Sequence, residues 1–524
     1  MMGRSISKRE QLELLTTNFS YRMLVGETVL RFLLVKDLLI EEEPAREKGQ
    51  PFPLGDVAAW VSSLDVSIDE KDRIKVLGRV EGKVVFYSTL GSKEVTWQEE
   101  EFRKDVDLPG ALPGMEANGH ARISFIGEEE SPLEAEGKIL YQLKIEVEVL
   151  LSVVDPQQLE VAVGVKDVPP EKVSHGIIIA EELVGEEAVP VTLSKEFQFE
   201  GEPQYIKSLN GYFKDFSWDL GKEGISLKGE LVTVFYFFSG KERGFKESRQ
   251  QFSQLVAFPP IKKGYQVSVF PRVEYAAYEV LGTNVRQMVY IDIFLRVTRT
   301  VQQEVISDIQ GAMVKKEYLL LPKSLGVVKE SLELVQKLSF PYPEQIASGS
   351  CRLLNLEVDV QDGRINVSGT LEKNIYYLPG TEKEVSLEEE SEIEKLPAFS
   401  SFEEEFQCAL YLPGAGPEAE KAAYFSLNAS EFAPTDNNTL QISHGLLEAK
   451  AWVMQEFSVV VPYRVPPGTS MVIYAVRQGD TLLKIARSYG VKAPVLAQAN
   501  GLGEDATLEA GQKLLIPLLF YADY

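Results

Sequence analysis

Cysteine is almost missing from this chain: Cys351 and Cys408 are the only two in 524 residues. Two distant cysteines cannot build a disulfide framework. The sequence leaves open whether they pair, and two buried free thiols in a reducing compartment is the simpler reading. Histidine is scarce as well, with only His120, His175 and His444. None has a second His or Cys at ligand spacing, which argues against a zinc site. His120 falls in a Gly/Asn stretch that reads as a turn, His175 in a Ser/Gly stretch, and His444 beside Gly445. Each reads as a loop or hydrogen-bonded polar residue. A GxxxxGKS/T phosphate loop is also missing. "GAGPEA", Gly414 to Ala419, fits GxGxxG/A on paper, but the chain returns at once to "YFSLNAS" with no room for a βαβ unit. "PGALPGMEA" (Pro109 to Ala117) is similar, and a turn before a strand explains both.

Long apolar runs are lacking too. The longest early one, "YRMLVGETVLRFLLVKDLLI", is cut by Arg22, Glu27, Arg31, Lys36 and Asp37. It reads as neither a signal peptide nor a membrane span. The expected location is the cytosol of the cell that makes the protein, with no membrane insertion. Positive charge is in deficit: 54 Lys and Arg stand against 79 Asp and Glu, a net −25. Nucleic acid and anionic lipid need a basic footprint and are poor partners for such a chain. The acid reads as solubility, or as a surface matched to a basic partner. Clusters at Glu99–Glu101, Glu128–Glu130 and Glu403–Glu405 lack the alternating Asp/Asn and Gly pattern of a calcium loop. Charge on sheet-edge strands, which discourages aggregation, explains them better. No cofactor, no metal and no enzymatic activity are expected.

What is present is an ordinary globular composition, 44% hydrophobic and 25% charged, with a repeat inside it. "DRIKVLGRVEGKVVFYSTLGSKEV" (Asp72 to Val95), "EGISLKGELVTVFYFFSGKERGF" (Glu223 to Phe245) and "GRINVSGTLEKNIYYLPGTEKEV" (Gly363 to Val385) share one pattern. Each reads Ile-x-apolar-x-Gly-x-apolar, then a β-branched and aromatic run, then a Gly-containing turn. Around Gly78, Ile74, Val76 and Val80 share one face while Lys75, Arg79 and Glu81 face mostly away, the period-two signature of a half-buried strand. A glycine inside such a strand marks a bulge or a close backbone approach. The aligned glycines Gly78, Gly229 and Gly369 lie 151 and then 140 residues apart, a period of tandem domains. Further alternating runs precede and follow each copy, including "MLVGETV", "ELVGEEA" and "SLGVVKE" near Gly26, Gly185 and Gly326.

The expected fold is mainly β: three tandem β-sandwich-like repeat domains followed by a small βααβ module. The expected bounds are an N-terminal segment at 1–19, repeats at 20–160, 175–315 and 318–462, and the module at 472–518. Short pieces such as Val327 to Lys337 have helical potential. Pro466, Pro467 and Gly468 mark a fairly stiff linker before the module. In the module "MVIYAV" reads as a strand. Leu482, Ile485, Ala486 and Tyr489 fall at helical spacing, with Asp480 as the N-cap and Gly490 as the stop. Pro494 suits the first turn of a second helix that ends at Asn500-Gly501, and "GQKLLIP" closes the module with a strand.

The residues from Tyr474 to Pro517 closely resemble a LysM domain. The pattern Y-x-V-x-x-G-D-T-L-x-x-I-A matches Tyr474, Val476, Gly479, Asp480, Thr481, Leu482, Ile485 and Ala486. A-N-x-L matches Ala499, Asn500 and Leu502, and G-x-x-L-x-I-P matches Gly511, Leu514, Ile516 and Pro517. Ala493 stands where the family usually has a Ser/Thr/Asp cap, and Ala510 where proline is common. The resemblance implies a groove for N-acetylglucosamine polymers between two loops, Gly479, Asp480, Thr481, Leu482 and Asn500, Gly501, Leu502. It also allows that Asp480, Thr481 and Asn500 are caps and turn residues, with backbone groups gripping the ligand. Over nearly its full length the chain resembles the SipL-type endospore coat-assembly proteins, which join SPOCS-type β repeats to a C-terminal LysM domain. That resemblance implies a scaffold in the mother-cell cytosol, assembled on the forespore surface, whose LysM domain docks a coat basement-layer morphogenetic ATPase. The other reading is a binder of peptidoglycan or chitin oligomers in the cell wall or spore cortex.

Overall fold

The computed structural model describes residues 12–40, 54–88, 91–135, 138–221, 223–239, 242–258, 264–312, 314–338, 343–379, 398–435, 438–462, 469–489, 491–503 and 506–519. The extreme N-terminus, the acidic stretch "LEEESEIEK" at 387–395, the linker residues Pro466 to Gly468 and Gly490 lie outside them. Strands come first: β1 (Leu14–Ile40), β2 (Leu54–Glu70), β3 (Arg73–Ser88), β4 (Gly91–Asp107), β5 (Glu116–Ala135) and β6 (Lys138–Val165). A second set follows as β7 (Val173–Gln198), β8 (Tyr205–Leu220), β9 (Gly224–Ser239), β10 (Glu242–Ala257), β11 (Tyr265–Leu281) and β12 (Asn284–Ile309). The third is β13 (Lys315–Leu338), β14 (Pro343–Gln361), β15 (Arg364–Pro379), β16 (Ala398–Tyr411), β17 (Glu420–Thr435) and β18 (Asn438–Val461). The chain ends with β19 (Thr469–Ala475), α1 (Leu482–Ser488), α2 (Ala493–Ala499) and β20 (Lys513–Leu519).

The three sets repeat one wiring. The last strand pairs with the first and fifth, and the third with the second and fourth. In the first unit Ile74, Val76, Val80 and Val84 of one sheet pack against Leu143, Ile145, Val147 and Val149 of the other, which makes a sandwich. β1 begins inside the segment expected to precede the first repeat, because Leu14 to Thr17 pair with the tail of β6. Val327 to Lys337 is also corrected. It lies in β13, where Leu332 and Leu334 alternate with exposed neighbours against β18, so tertiary pairing overrides the helical propensity.

Glycines explain the repeat signature. A Cβ on Gly78 would lie 2.4 Å from the Phe102 ring, one on Gly229 2.8 Å from Phe252, and one on Gly369 2.7 Å from Phe406. Each ring belongs to the residue paired directly across the next strand. The aromatic covers the surface that the glycine leaves bare. The opposite neighbour strand is irregular at each site, between Val61 and Ser63, Lys214 and Ser217, and Leu353 and Asn355. The second glycine series marks another bulge, since the ladder slips at the residue before Gly26, Gly185 and Gly326. Over these three positions lie Leu108, Phe258 and Leu412. "GAGPEA" starts in a tight turn, as expected: Ala415 N–H donates to Leu412 O (3.2 Å) and Gly414 has φ 85°, matching Leu108–Ala111 with Gly110 at 89°.

Beyond the bulge each first strand leaves its own sandwich. Phe19, Met23, Val161, Ile178, Ala180, Val301, Val305, Leu319, Leu321, Val459 and Val461 come from all three units and form one shared core. Beside it runs a buried ionic network. Arg296 of the second unit, 4% exposed, donates to Glu27 Oε2 of the first (2.6 Å) and to Glu186 Oε1 (2.6 Å). It also donates to the Tyr424 hydroxyl of the third unit (3.2 Å). Lys450 of the third unit reaches Glu27 Oε1 at 2.8 Å. His120 is not in a turn but within β5, opposite Leu150. Its Nε2 lies 2.7 Å from Asp292 of the second unit and its ring stacks on Phe294.

The acidic clusters all fall on sheet-edge strands: Glu99–Glu101 on β4, Glu128–Glu130 on β5 and Glu403–Glu405 on β16. Glu404 departs from a solvated role by pairing with Lys373, whose side chain is fully buried.

Candidate functional site

β19 and β20 form an antiparallel pair with α1 and α2 between them in sequence. Val476, Leu482, Ile485 and Ala486 pack on Leu496, Ala497, Leu514 and Ile516. This is the helical spacing read from the sequence, closed against the two strands. Val476 N–H donates to Gln512 O and Gly511 N–H to Val476 O, both at 2.8 Å. The loop leaving β19 and the loop entering β20 therefore meet at one end of the hairpin.

The first loop is built by Asp480, but not as a helix cap. Thr481 is the N-cap, its Oγ1 accepting from Lys484 N–H at 3.2 Å. Asp480 instead accepts from Arg477 N–H (2.8 Å) and from the Tyr474 hydroxyl (2.7 Å), folding the loop back on its strand. The Arg477 amide and the Tyr474 hydroxyl hold the Asp480 carboxyl below its usual range, and Asp480 raises Tyr474 in return. The Lys484 ammonium donates to Gly479 O at 3.0 Å, across the mouth of the loop. α2 starts at Ala493 after Lys492, with no side-chain cap and with Pro494 in its first turn.

In the second loop Asn500 ends α2 and joins it to β20. Its Nδ2 donates to Leu496 O (2.7 Å) and to Leu515 O (2.8 Å), and its Oδ1 accepts from Leu515 N–H (2.6 Å). Gly501 has φ 64°, and Leu502 N–H donates to Ala497 O at 3.0 Å, a glycine-terminated helix end. Asn500→Ala should cost about 1–2 kcal/mol, since it removes three hydrogen bonds to part-buried backbone groups of Leu496 and Leu515. Thermal unfolding followed on the module's signals checks this, and an unchanged midpoint contradicts it.

The seven expected groove residues thus divide. Leu482 is buried in the module's core and Leu502 packs against it. Asp480, Thr481 and Asn500 spend their polar atoms on the loops themselves, which leaves Gly479, Thr481 and Gly501 facing solvent. Lys484 was missed as a loop residue. Its place four residues after Asp480 reads only as an exposed helix position, and nothing in the spacing shows that it reaches back to Gly479.

The family model described as LysM domain matches residues 474–517. Residues 474–517 are a LysM domain. Comparisons with curated proteins and with solved structures find no match to the chain. Among the described residues outside the LysM domain, no three His, Cys, Asp or Glu side chains are grouped to hold a metal ion. No described helix is long and apolar enough to cross a membrane. Cys351 and Cys408 are both free, and burial pushes the Cys351 thiol up to about 12.

Proposed function

We propose that the protein is a non-enzymatic adaptor: a β body built of three repeats that carries a LysM domain as its docking head. The carrying observation is the division of labour in the LysM loops. Their polar side chains hold the loops in shape, and backbone at Gly479 and Gly501 is left exposed for a partner. Rigid loops on a scaffold commonly carry binding. Charge supports the arrangement. From Val472 to Pro517 five Lys and Arg face four acids, so the LysM domain is near +1 on a chain of net −25. A near-neutral head can approach a partner that the acidic body repels, which acts on association rate more than on affinity.

The finer reading rests on the resemblance of the tandem repeats plus LysM to endospore coat-assembly proteins. On it the partner is a coat morphogenetic ATPase and the place of assembly is the forespore surface in the mother cell. A second reading, favoured by the LysM match itself, is binding of N-acetylglucosamine polymers.

One double variant tests both. A Cβ at Gly479 meets nothing within 4 Å, and one at Gly501 only a carbonyl at 3.9 Å. Asn tolerates the positive φ at both. The full-length Gly479→Asn/Gly501→Asn protein should fold normally and lose at least about tenfold in affinity, roughly 1.4 kcal/mol. Binding is measured to the coat ATPase and to chitin oligomers in parallel. Tight oligomer binding with no affinity for the ATPase would replace the first reading with the second. Unchanged binding to both ligands would remove the loops as the site.

A further inference from the structure

Where the three sandwiches converge they line a cavity of about 710 Å³, open to solvent on one side, with walls from all three units. Phe125 of the first unit, Phe270 of the second and Tyr424 of the third supply aromatic surface. Around the whole wall charge balances, with six Lys and Arg against six Asp and Glu. At one corner one guanidinium has no carboxylate partner among the described residues. There Arg31 and Arg122 both reach Glu148, at 2.6 Å each, and Arg122 also lies 3.8 Å from Asp292. Arg272, from the second unit, stands beside them. Its guanidinium donates to the Ser124 carbonyl and makes no ion pair among the described residues. Burial, and the charges of Arg122 and Arg31, pull Arg272 down to about 10, so it stays cationic at neutral pH.

The nearest other acids are engaged. Glu146 accepts from the Ser124 hydroxyl and lies 3.7 Å from Arg352. Arg352 is paired with Glu372 and stacks over Phe125, 4.3 Å from the ring centroid. Asp292 lies 3.8 Å from Arg122 and is shared with His120, so Arg31, Arg122 and Arg352 each have a carboxylate and Arg272 is left with a carbonyl. Glu274, further along β11, also lines the wall, and burial and the neighbouring Asp292 raise its carboxyl. A guanidinium fork without a carboxylate is the group that matches a phosphate or carboxylate in two-point contact.

We propose that this cavity is a binding site for a small oxyanion-bearing ligand, a phosphate or carboxylate compound held by Arg272 with Arg122 and Arg31 beside it. Planar or apolar parts of the ligand would lie against Phe125, Phe270 and Tyr424. The site needs all three units, so ligand and body stabilise each other: whatever binds only the folded state raises its stability. It is independent of the LysM loops and lies outside the adaptor reading.

The experiment titrates inorganic phosphate, and separately citrate, into the full-length protein at constant ionic strength, followed by calorimetry and thermal unfolding. One saturable site and a rise in Tm are expected with at least one probe. Arg272→Gln should weaken that binding at least tenfold, and Arg272→Lys, which keeps charge and loses the fork, should fall between. No saturable heat and no Tm rise with either probe in the wild type overturns the proposal, whether or not the variants fold. Equal binding by folded Arg272→Gln also overturns it, placing the anion elsewhere.

Discussion

Arg296→Met should destabilise the protein by about 3–5 kcal/mol, the usual loss when one member of a buried ion pair is removed. The arginine is 4% exposed and Glu27 3%, so neither has water to fall back on. Without Arg296, Glu27 keeps Lys450 and the Tyr424 hydroxyl, and Glu186 loses its partner at 2.6 Å. The consequence reaches beyond one unit, because Glu27, Arg296 and Lys450 come from three different repeats. A single cooperative transition should shift to lower denaturant as a whole. An Arg296→Met protein within about 1 kcal/mol of wild type would show that the network contributes little.

The same network sets an acid limit. Burial by itself would raise the Glu27 and Glu148 carboxyls, but Lys450 and Arg296 lower Glu27, and Arg122 and Arg31 lower Glu148, by more. A carboxylate held low in the folded state adds stability above its unfolded value of about 4.3, and that stability is lost as pH falls further. The denaturant midpoint of the wild type should therefore drop below about pH 4. In Arg296→Met the drop should be smaller, since Glu27 is then held down less.

How much of this was legible in the sequence depends on how locally each feature is encoded. The mainly β fold, the recurrent glycines and the LysM domain could be read because alternation, crowding at a strand glycine and loop chemistry act over a few residues. Val327 to Lys337 was misread because Val, Lys, Glu and Leu in that order serve helix or strand equally, and only pairing with β18 decides. Asp480 and Thr481 exchanged roles because both are good caps and adjacent in sequence. The Glu27–Arg296 bond spans 269 residues and could not be seen at all. The Gly and Asn neighbours of His120 read as a turn, although they lie in a strand whose register is fixed by β6. In the LysM domain the loop residues were legible as a set. Which of them face solvent was not, because exposure at Gly479 and Gly501 follows from where the Asp480 and Asn500 side chains turn.

Gly369→Ala should cost about 3 kcal/mol, at the upper end for forcing one extra carbon into a packed core. The new Cβ would lie 2.7 Å from the Phe406 ring and 2.8 Å from the Asn355 carbonyl, so it is blocked on two sides. The carbonyl is backbone and cannot rotate away. Phe406 is 5% exposed within the core of the third unit and stacks on Phe425 with centroids 5.0 Å apart, so it cannot swing out cheaply. The repeat supplies internal controls. Gly78→Ala should behave alike, because it meets Phe102 at 2.4 Å and the Ser63 carbonyl at 2.8 Å. Gly229→Ala should be milder, because its only contact under 3.0 Å is the Phe252 ring and its nearest backbone atom is at 3.4 Å. Denaturant midpoints of the three full-length variants give the order directly. Phe406→Leu in the Gly369→Ala background should recover part of the loss, although Phe406→Leu alone destabilises. Independent, additive effects of those two changes would mean that ring and glycine are not the coupled pair described here.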